Sequence, residues 1–406
     1  MSRLRPLIAG PWRAVLVLGV TQIIAWGTIF YPPVLTVPLI AGERGWTMSF
    51  AMGGFSLALL AAGLVSPRVG LLIDRHGGHV VMPGGSLLAA LGLLAIVYAV
   101  QPVEYLAAWA LIGIATAASL YDPAFSTLGR IFGASARRPI TVLTLAGGFA
   151  STVSWPTTHY LLSSLGWRGT YLVYAALLAF IAAPLHAFAL PRMRAQPAAP
   201  VYAAPRPQHV FLAPRGWPFA LMTAAFAAYA FVPSGLSAHL LAIFGRGGID
   251  AATAVAIGAL FGPSQVAARV CEFVFARGIH PLAVARLAIG MLLVGFALLA
   301  LFGLAVAVAA LFMLMFGAAN GLITIARGAV PLALFGADGY GHIMGRIGRA
   351  ALAMQAIAPL VLAFAAEHAS DRAVLAIVAA FALISFAGLL AIRRPSNEPK
   401  HPASNG

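Results

Sequence analysis

The chain has 406 residues, 61% of them hydrophobic and 9% charged, with a formal net charge of +15. A soluble domain carries about 25% charged residues, so the composition excludes a cytosolic enzyme, a disordered chain and a nucleic-acid binder, whose basic residues would gather on one face. The positive charge is instead spread along the chain as 24 arginines and Lys400, and the single cysteine, Cys271, leaves no disulfide framework and no cysteine-ligated metal.

A hydrocarbon layer about 30 Å thick is crossed by about 20 helical residues. Twelve apolar stretches meet that length, near 14–40, 48–71, 80–101, 105–129, 139–163, 169–190, 217–243, 251–274, 282–302, 305–328, 343–365 and 373–392. The first follows Arg3, Arg5 and Arg13 and stays apolar from Val15 to Ile40. It outruns the 7–15 or so residues of a signal-peptide core and reads as a retained span. Residues 287–326 are apolar without a break. As one helix they would run about 60 Å, so length alone requires two spans there.

The Pro-rich, basic segment 191–216 interrupts the pattern and reads as a cytoplasmic linker. The expected fold is an all-α membrane protein. Its twelve transmembrane helices form two pseudo-symmetric six-helix bundles, 1–190 and 217–406, the second with a short cytoplasmic tail. Pro32 and Pro233 are 201 residues apart, as are Arg68 and Arg269, a faint echo of a parallel repeat.

With the N-terminus inside, twenty of the 25 Lys and Arg lie on the inner side or at its helix ends. Four lie outside (Arg44, Arg168, Arg246 and Arg372), and Arg269 lies within a span. The positive-inside rule then puts both termini in the cytoplasm. Arginine- and alanine-rich usage with one lysine points to a bacterial inner membrane. A monomer is expected, with the lipid bilayer and a small molecule as its partners and no nucleic acid.

After span 2 the chain reads Gly70-Leu-Leu-Ile-Asp74-Arg75-His76-Gly77-Gly78-His79. An acid there can accept from a neighbouring helix N-terminus or pair with Arg, and the glycines allow a tight turn. The pattern resembles the G-x-x-x-D-R-x-G-R/K-R/K loop of the major facilitator superfamily, with Gly70, Asp74, Arg75 and Gly77 matching and Gly78-His79 replacing the basic pair. Trp26-Gly27, Tyr31, Glu43-Arg44-Gly45-Trp46 and Gly166-Trp167-Arg168 make the sequence most similar to bacterial monocarboxylate and oxalate–formate-type carriers. The resemblance implies two bundles around a substrate cavity that opens alternately to each side, and a gating role for the loop.

Ionisable groups inside a membrane cost about 2.5–3.5 kcal/mol or more and are functional candidates by default. Asp122, before Pro123 in span 4, reads either as a proton-coupling residue or as a structural partner for an arginine such as Arg130. Arg269 and Glu272, three apart in span 8, share a face and can pair. The resemblance implies an anion-binding arginine and a proton-cycling acid in span 8, here in reversed order. The competing reading is a structural or gating ion pair. Arg327 and Asn320 share a face of span 10, and Gln22, Trp26 and Tyr31 (span 1), Tyr121 (span 4), Tyr229 and His239 (span 7) are further cavity candidates. His159 can also titrate. Gly317/Gly321 and Gly258/Gly262 are small-xxx-small patterns for close helix packing.

No G-x-x-x-x-G-K-[ST], H-E-x-x-H or G-x-S-x-G occurs, so the sequence supports neither an ATP-driven pump nor an enzyme, and no metal or cofactor is expected. The expected function is secondary transport of a small solute, a small organic anion, across the inner membrane by alternating access, coupled to protons or exchange. The alternative is a proton-coupled exporter of a hydrophobic or toxic compound.

Overall fold

The computed structural model describes residues 10–192, 216–276 and 278–392, which form helices joined by short turns, with no strand among the described residues. Most of the 191–216 segment lies outside the described residues, as do Arg277 and both chain ends.

The first span is α1 (Arg13–Ala25), a π-helical segment Trp26–Phe30, and α2 (Pro33–Arg44). Pro32 and Pro33 have no N–H to continue the helix, which is why it restarts there. Then come α3 (Met48–His76) and α4 (Gly78–Tyr98), joined through Gly77 alone, and α5 (Pro102–Ser119) and α6 (Tyr121–Phe132), broken at Leu120. A 3₁₀ turn at Gly133–Ala136 leads to α7 (Arg137–Gly148) and α8 (Ala150–Leu177), extended by π-helical turns Leu178–Ala182 and Leu185–Ala189. The later helices are α9 (Trp217–Arg246), α10 (Ala251–Ala259), α11 (Phe261–Phe275), α12 (Pro281–Phe302), α13 (Val306–Phe335), α14 (Tyr340–His368) and α15 (Asp371–Ala391).

Among the described residues ten segments are long and apolar enough to cross a membrane, and one of them, Pro102–Ala189, has 88 residues. Straight, it would reach about 130 Å. It is bent at Gly133 (φ 57°) and Gly166 (φ 66°), where an L side chain would be strained, and so divides into three passes. The fold therefore accommodates twelve spans. The long apolar run 287–326 breaks at Gly303, between α12 and α13.

The largest buried cluster draws only on residues 219–392 and the next only on residues 25–182. A third joins α1, α6 and α7 to Leu332, Tyr340 and Met344. The helices before residue 193 thus meet those after residue 215 along definite seams. In one, α3 lies on α14 without side chains between: a Cβ on Gly70 would fall 2.0 Å from the Gly341 carbonyl oxygen, and one on Gly345 2.3 Å from that of Ser66. In the other, α7 packs on α11. Without a hydrophobic force between helices in lipid, such close backbone approach supplies the packing energy.

At the opposite end of the molecule the ion pairs stay within one set of helices. Glu43 pairs with Arg168 at 2.5 Å and Arg246 with Asp371 at 2.6 Å. In each pair the partners are 125 residues apart. The second pair lies 203 residues after the first with acid and base exchanged.

Gly70→Ala is expected to destabilise the protein by about 1–3 kcal/mol, because the methyl group meets backbone. Gly53→Ala, with open space at its Cβ, is expected to leave the melting temperature unchanged or raise it. Thermal unfolding in detergent distinguishes the two.

Candidate functional site

The site grows out of the break in span 4. Pro123 has no N–H to give the Ser119 carbonyl, four residues back, which is thereby freed. The buried Gln22 amide donates to that carbonyl at 2.7 Å, and its oxygen accepts from the Trp26 indole at 3.1 Å. The indole is so fixed against Tyr121, with ring centroids 5.0 Å apart, and near Tyr31 at 6.1 Å. Trp155 extends the aromatic wall beyond Tyr31. Trp26 opens the π-helical segment, whose Gly27 carbonyl accepts from Ser154 at 2.8 Å. Single π turns of this kind recur at functional sites.

Arg269 of α11 reaches this wall from the other set of helices. It is 3% exposed, and its guanidinium lies against the Tyr121 hydroxyl. It donates to the Thr144 carbonyl and to Gln265, both at 2.7 Å, while its Nε is buried without an acceptor. The glycine pair of α7 makes the meeting possible. A Cβ on Gly147 would lie 2.3 Å from the Tyr121 hydroxyl and one on Gly148 2.6 Å from an Arg269 nitrogen. No carboxylate pairs with Arg269 among the described residues. A buried cation with a spare donor beside aromatic faces can take an anion with an apolar body.

Below this centre, toward the end that carries Asp74, the two sets of helices are fastened by charge. The Asp74 carboxylate accepts from the backbone N–H groups of Gly341 and His342, each at 2.8 Å, and so caps the N-terminus of α14. Arg130 donates to the Asp74 carbonyl. Asp122 pairs with Arg327 of α13. Tyr340 donates to the Gly328 carbonyl at 2.6 Å. Across the second seam Arg137 pairs with Glu272 at 2.8 Å and donates to the carbonyls of Ala276, the C-cap of α11, and of Ile279 in the turn that follows. Thr141 donates to the other Glu272 oxygen at 3.2 Å. An acid thus holds a helix N-terminus at one seam and a base a helix C-terminus at the other, each the favourable sign for the helix dipole.

Several expectations are corrected by this geometry. The arginine beside Asp122 is Arg327, not Arg130, because the α5–α6 break aims Asp122 across the seam while Arg130 turns to the end of α3. Arg269 and Glu272 do not pair with each other, because partners across the seam outcompete a local i, i+3 contact. Arg269 is buried whereas Arg68, 201 residues earlier, is exposed, so the two do not share an environment. Arg75 is exposed, and Gly77 is a one-residue corner rather than a loop. Gly317 and Gly321 of α13 pack closely against α11, but Gly262 has open space at its Cβ.

Gln22, Trp26, Tyr31, Tyr121 and Arg269 come together. Tyr229 and Asn320 form a separate contact at 3.3 Å, His239 is half-buried and His159 exposed, and neither histidine joins the group. Sequence reasoning missed Arg137, Gln265 and the Gly147-Gly148 pair, and also His186, buried between Ser86 and Thr21. Gly341-x-x-x-Gly345 carried a readable signal, being a small-xxx-small pattern at a helix start.

The description of the Major Facilitator Superfamily matches residues 16–351, and the chain belongs to that family. It is 34% identical to human monocarboxylate transporter 11 over 241 residues, 56% of this chain and 48% of that protein. To human monocarboxylate transporter 2 it is 31% identical over 126 residues, 30% of this chain and 25% of that protein. The matches thus cover about half or less of these relatives. Among solved structures it is similar to the human organic anion transporter MFSD10 (TETRAN), with a TM-score of 0.73 at 18% identity, covering 93% of this chain and 99% of that one. It is also similar to FucP in the outward conformation, with a TM-score of 0.68 at 12% identity, covering 94% and 99%. These two likenesses concern the fold. The family and the apolar helices make the chain a protein that crosses the membrane several times.

Removing Arg137 leaves the buried Glu272 carboxylate without its ion pair and the Ala276 and Ile279 carbonyls without this donor, so Arg137→Gln is expected to destabilise the protein by about 2–4 kcal/mol. The charge swap Arg137→Glu with Glu272→Arg is expected not to restore stability, since the swapped acid cannot donate to the Ala276 and Ile279 carbonyls. Melting temperatures of the three variants test this, and full recovery in the swap contradicts it.

Proposed function

We propose that this chain is a secondary carrier of a small organic anion that binds the substrate carboxylate at Arg269. The observation that carries the reading is the Arg269 guanidinium, buried, unpaired with any acid and set against Tyr121 in the aromatic wall. The names of the monocarboxylate transporters it matches support the same substrate class. The two bundles are 1–190 and 217–406, joined by 191–216, and the separate buried clusters and the exchanged outer ion pairs support that division. The arginine distribution supports cytoplasmic termini in a bacterial inner membrane, which makes the fastened end cytoplasmic and the arrangement outward-facing.

In this proposal Asp122 and Glu272 couple protons through the seams. Each carboxylate holds an arginine of the other bundle, and a carboxylate that takes a proton loses its charge-assisted bond. Protonation therefore favours opening at the Asp74 end, and deprotonation favours closing. Arg327 and Glu272 act in gating, while Gln22, Trp26, Tyr31 and Tyr121 shape the substrate site.

Uptake of short monocarboxylates into proteoliposomes tests the assignment. Arg269→Gln is expected to reduce it about tenfold to a hundredfold, the worth of a charged hydrogen bond. Arg269→Lys is expected to keep part of it. The second reading, export of a hydrophobic compound, draws on the same aromatic wall and expects flux of a neutral aromatic solute that is indifferent to Arg269→Gln. Asp122→Asn is expected to abolish uptake driven by a pH gradient and to leave exchange intact. Unchanged gradient-driven uptake removes Asp122 from the coupling.

A further inference from the structure

One turn before Arg269 on α11 stands Gln265, whose oxygen accepts from the Arg269 guanidinium at 2.7 Å. A guanidinium only donates, so the atom that meets it is the amide oxygen, and the NH2 group is turned away. No hydrogen bond among the described residues takes up that NH2 group. It is also not one of the buried polar atoms left without a partner, as the Arg269 Nε is, so it faces accessible space. The backbone at Gln265 is fixed by α13, since a Cβ on Gly321 would lie 2.5 Å from the Gln265 carbonyl oxygen.

Helical side chains lean toward the N-terminus of their own helix. Span 8 begins at Ala251, just after Arg246, and so starts at the end where Arg246 pairs with Asp371. No ion pair among the described residues joins the two sets of helices there. The Gln265 amide thus stands on the side of Arg269 that an anion entering from the unfastened end reaches first.

An amide at this place differs from an acid chiefly in charge. Every acidic residue except Glu398 lies among the described residues, and none of those pairs with Arg269. Glu272, three residues on, is turned to Arg137 and Thr141. The other groups around the guanidinium are the Thr144 carbonyl of α7 and the phenols of Tyr121 in α6 and Tyr31 in the first span. Gln265 therefore orients Arg269 as a glutamate would, without cancelling its charge. Thr144 and Gln265 each take one guanidinium N–H, while a bound carboxylate has about four lone-pair directions to fill. It needs donors beyond Arg269, and the Gln265 NH2 group is the adjacent one.

We propose that Gln265 sets the specificity of this site for anions: its oxygen aims Arg269 while leaving it charged, and its NH2 group donates to the bound carboxylate. The inference rests on the proposed binding of the substrate carboxylate at Arg269. It adds that the binding step takes up no proton of its own, because nothing at Arg269 has to be neutralised before the anion arrives. Proton coupling then belongs to the seams, at Asp122 and Glu272.

The test exchanges the amide for a carboxylate of the same shape. Binding of benzoate and of propionate to the full chain in detergent is measured by calorimetry between about pH 6 and pH 8, where such carboxylates stay ionised, beside melting temperatures without ligand. In Gln265→Glu the new carboxylate pairs with Arg269. The melting temperature at the upper pH is expected to equal or exceed that of the wild type, while binding falls about tenfold or more, the worth of a charged hydrogen bond. Each anion bound then brings a proton with it, so the affinity relative to wild type is expected to rise as the pH falls, by up to about tenfold per unit. Gln265→Leu keeps the bulk and loses both contacts, and is expected to weaken binding about threefold to tenfold with no added pH dependence. A Gln265→Glu affinity that parallels the wild type across the pH range, or an unchanged affinity in Gln265→Leu, overturns the proposal. No binding of either probe, or binding indifferent to Arg269→Gln, contradicts the anion site itself and this inference with it. Binding that depends on Arg269 but not on Gln265 overturns this inference alone.

Discussion

A charge held in hydrocarbon must find its partner within the protein, and here the partners of Asp74, Asp122, Glu272 and Arg269 lie across the seams between the two sets of helices. That constraint organises the molecule. Each carboxylate or guanidinium satisfied across a seam makes the burial of that group conditional on the seam being closed. Separating the helices exposes the charge to water, which compensates the lost contact. Closing them again returns the same pairs.

The fastenings use helix ends as much as ion pairs. Asp74 sits on the N–H groups that start α14, and Arg137 on the carbonyls that finish α11. These contacts add the helix dipole to what a pair of side chains such as Asp122–Arg327 provides. The glycines of α3 and α14 matter for the same reason. Only where backbones nearly touch can a carboxylate on one helix reach the first N–H groups of the next. At the other end of the molecule, Glu43–Arg168 and Arg246–Asp371 join helices within their own set, and no ion pair among the described residues fastens the two sets there.

The placement of the apolar helices was legible because hydropathy and the length of a helix that crosses lipid are properties of short windows. Even the break near Gly303 followed from length alone. Asp122 stood out as a carboxylate before a proline in an apolar run, and Pro123 already implied the freed carbonyl that Gln22 fills. What the sequence did not carry was partner choice. Arg269 and Glu272 are three residues apart and look like a pair. They part because Thr144, Tyr121 and Arg137, more than a hundred residues earlier, offer better geometry. Arg137 read as one more inner-side arginine, and Gly147-Gly148 as ordinary small residues. Their roles depend on a helix that arrives from the other half of the chain.

The account stands on the Asp74 end being a closed gate held by cross-seam charge. Its most direct measurement is the distance between spin labels at the exposed positions 75 and 338, in a Cys271→Ser background in liposomes. A single short distance is predicted at neutral pH without substrate. A second, longer population is predicted on acidification with substrate, and also on replacing Asp74 by alanine. A distance that stays short under all three conditions contradicts the gate.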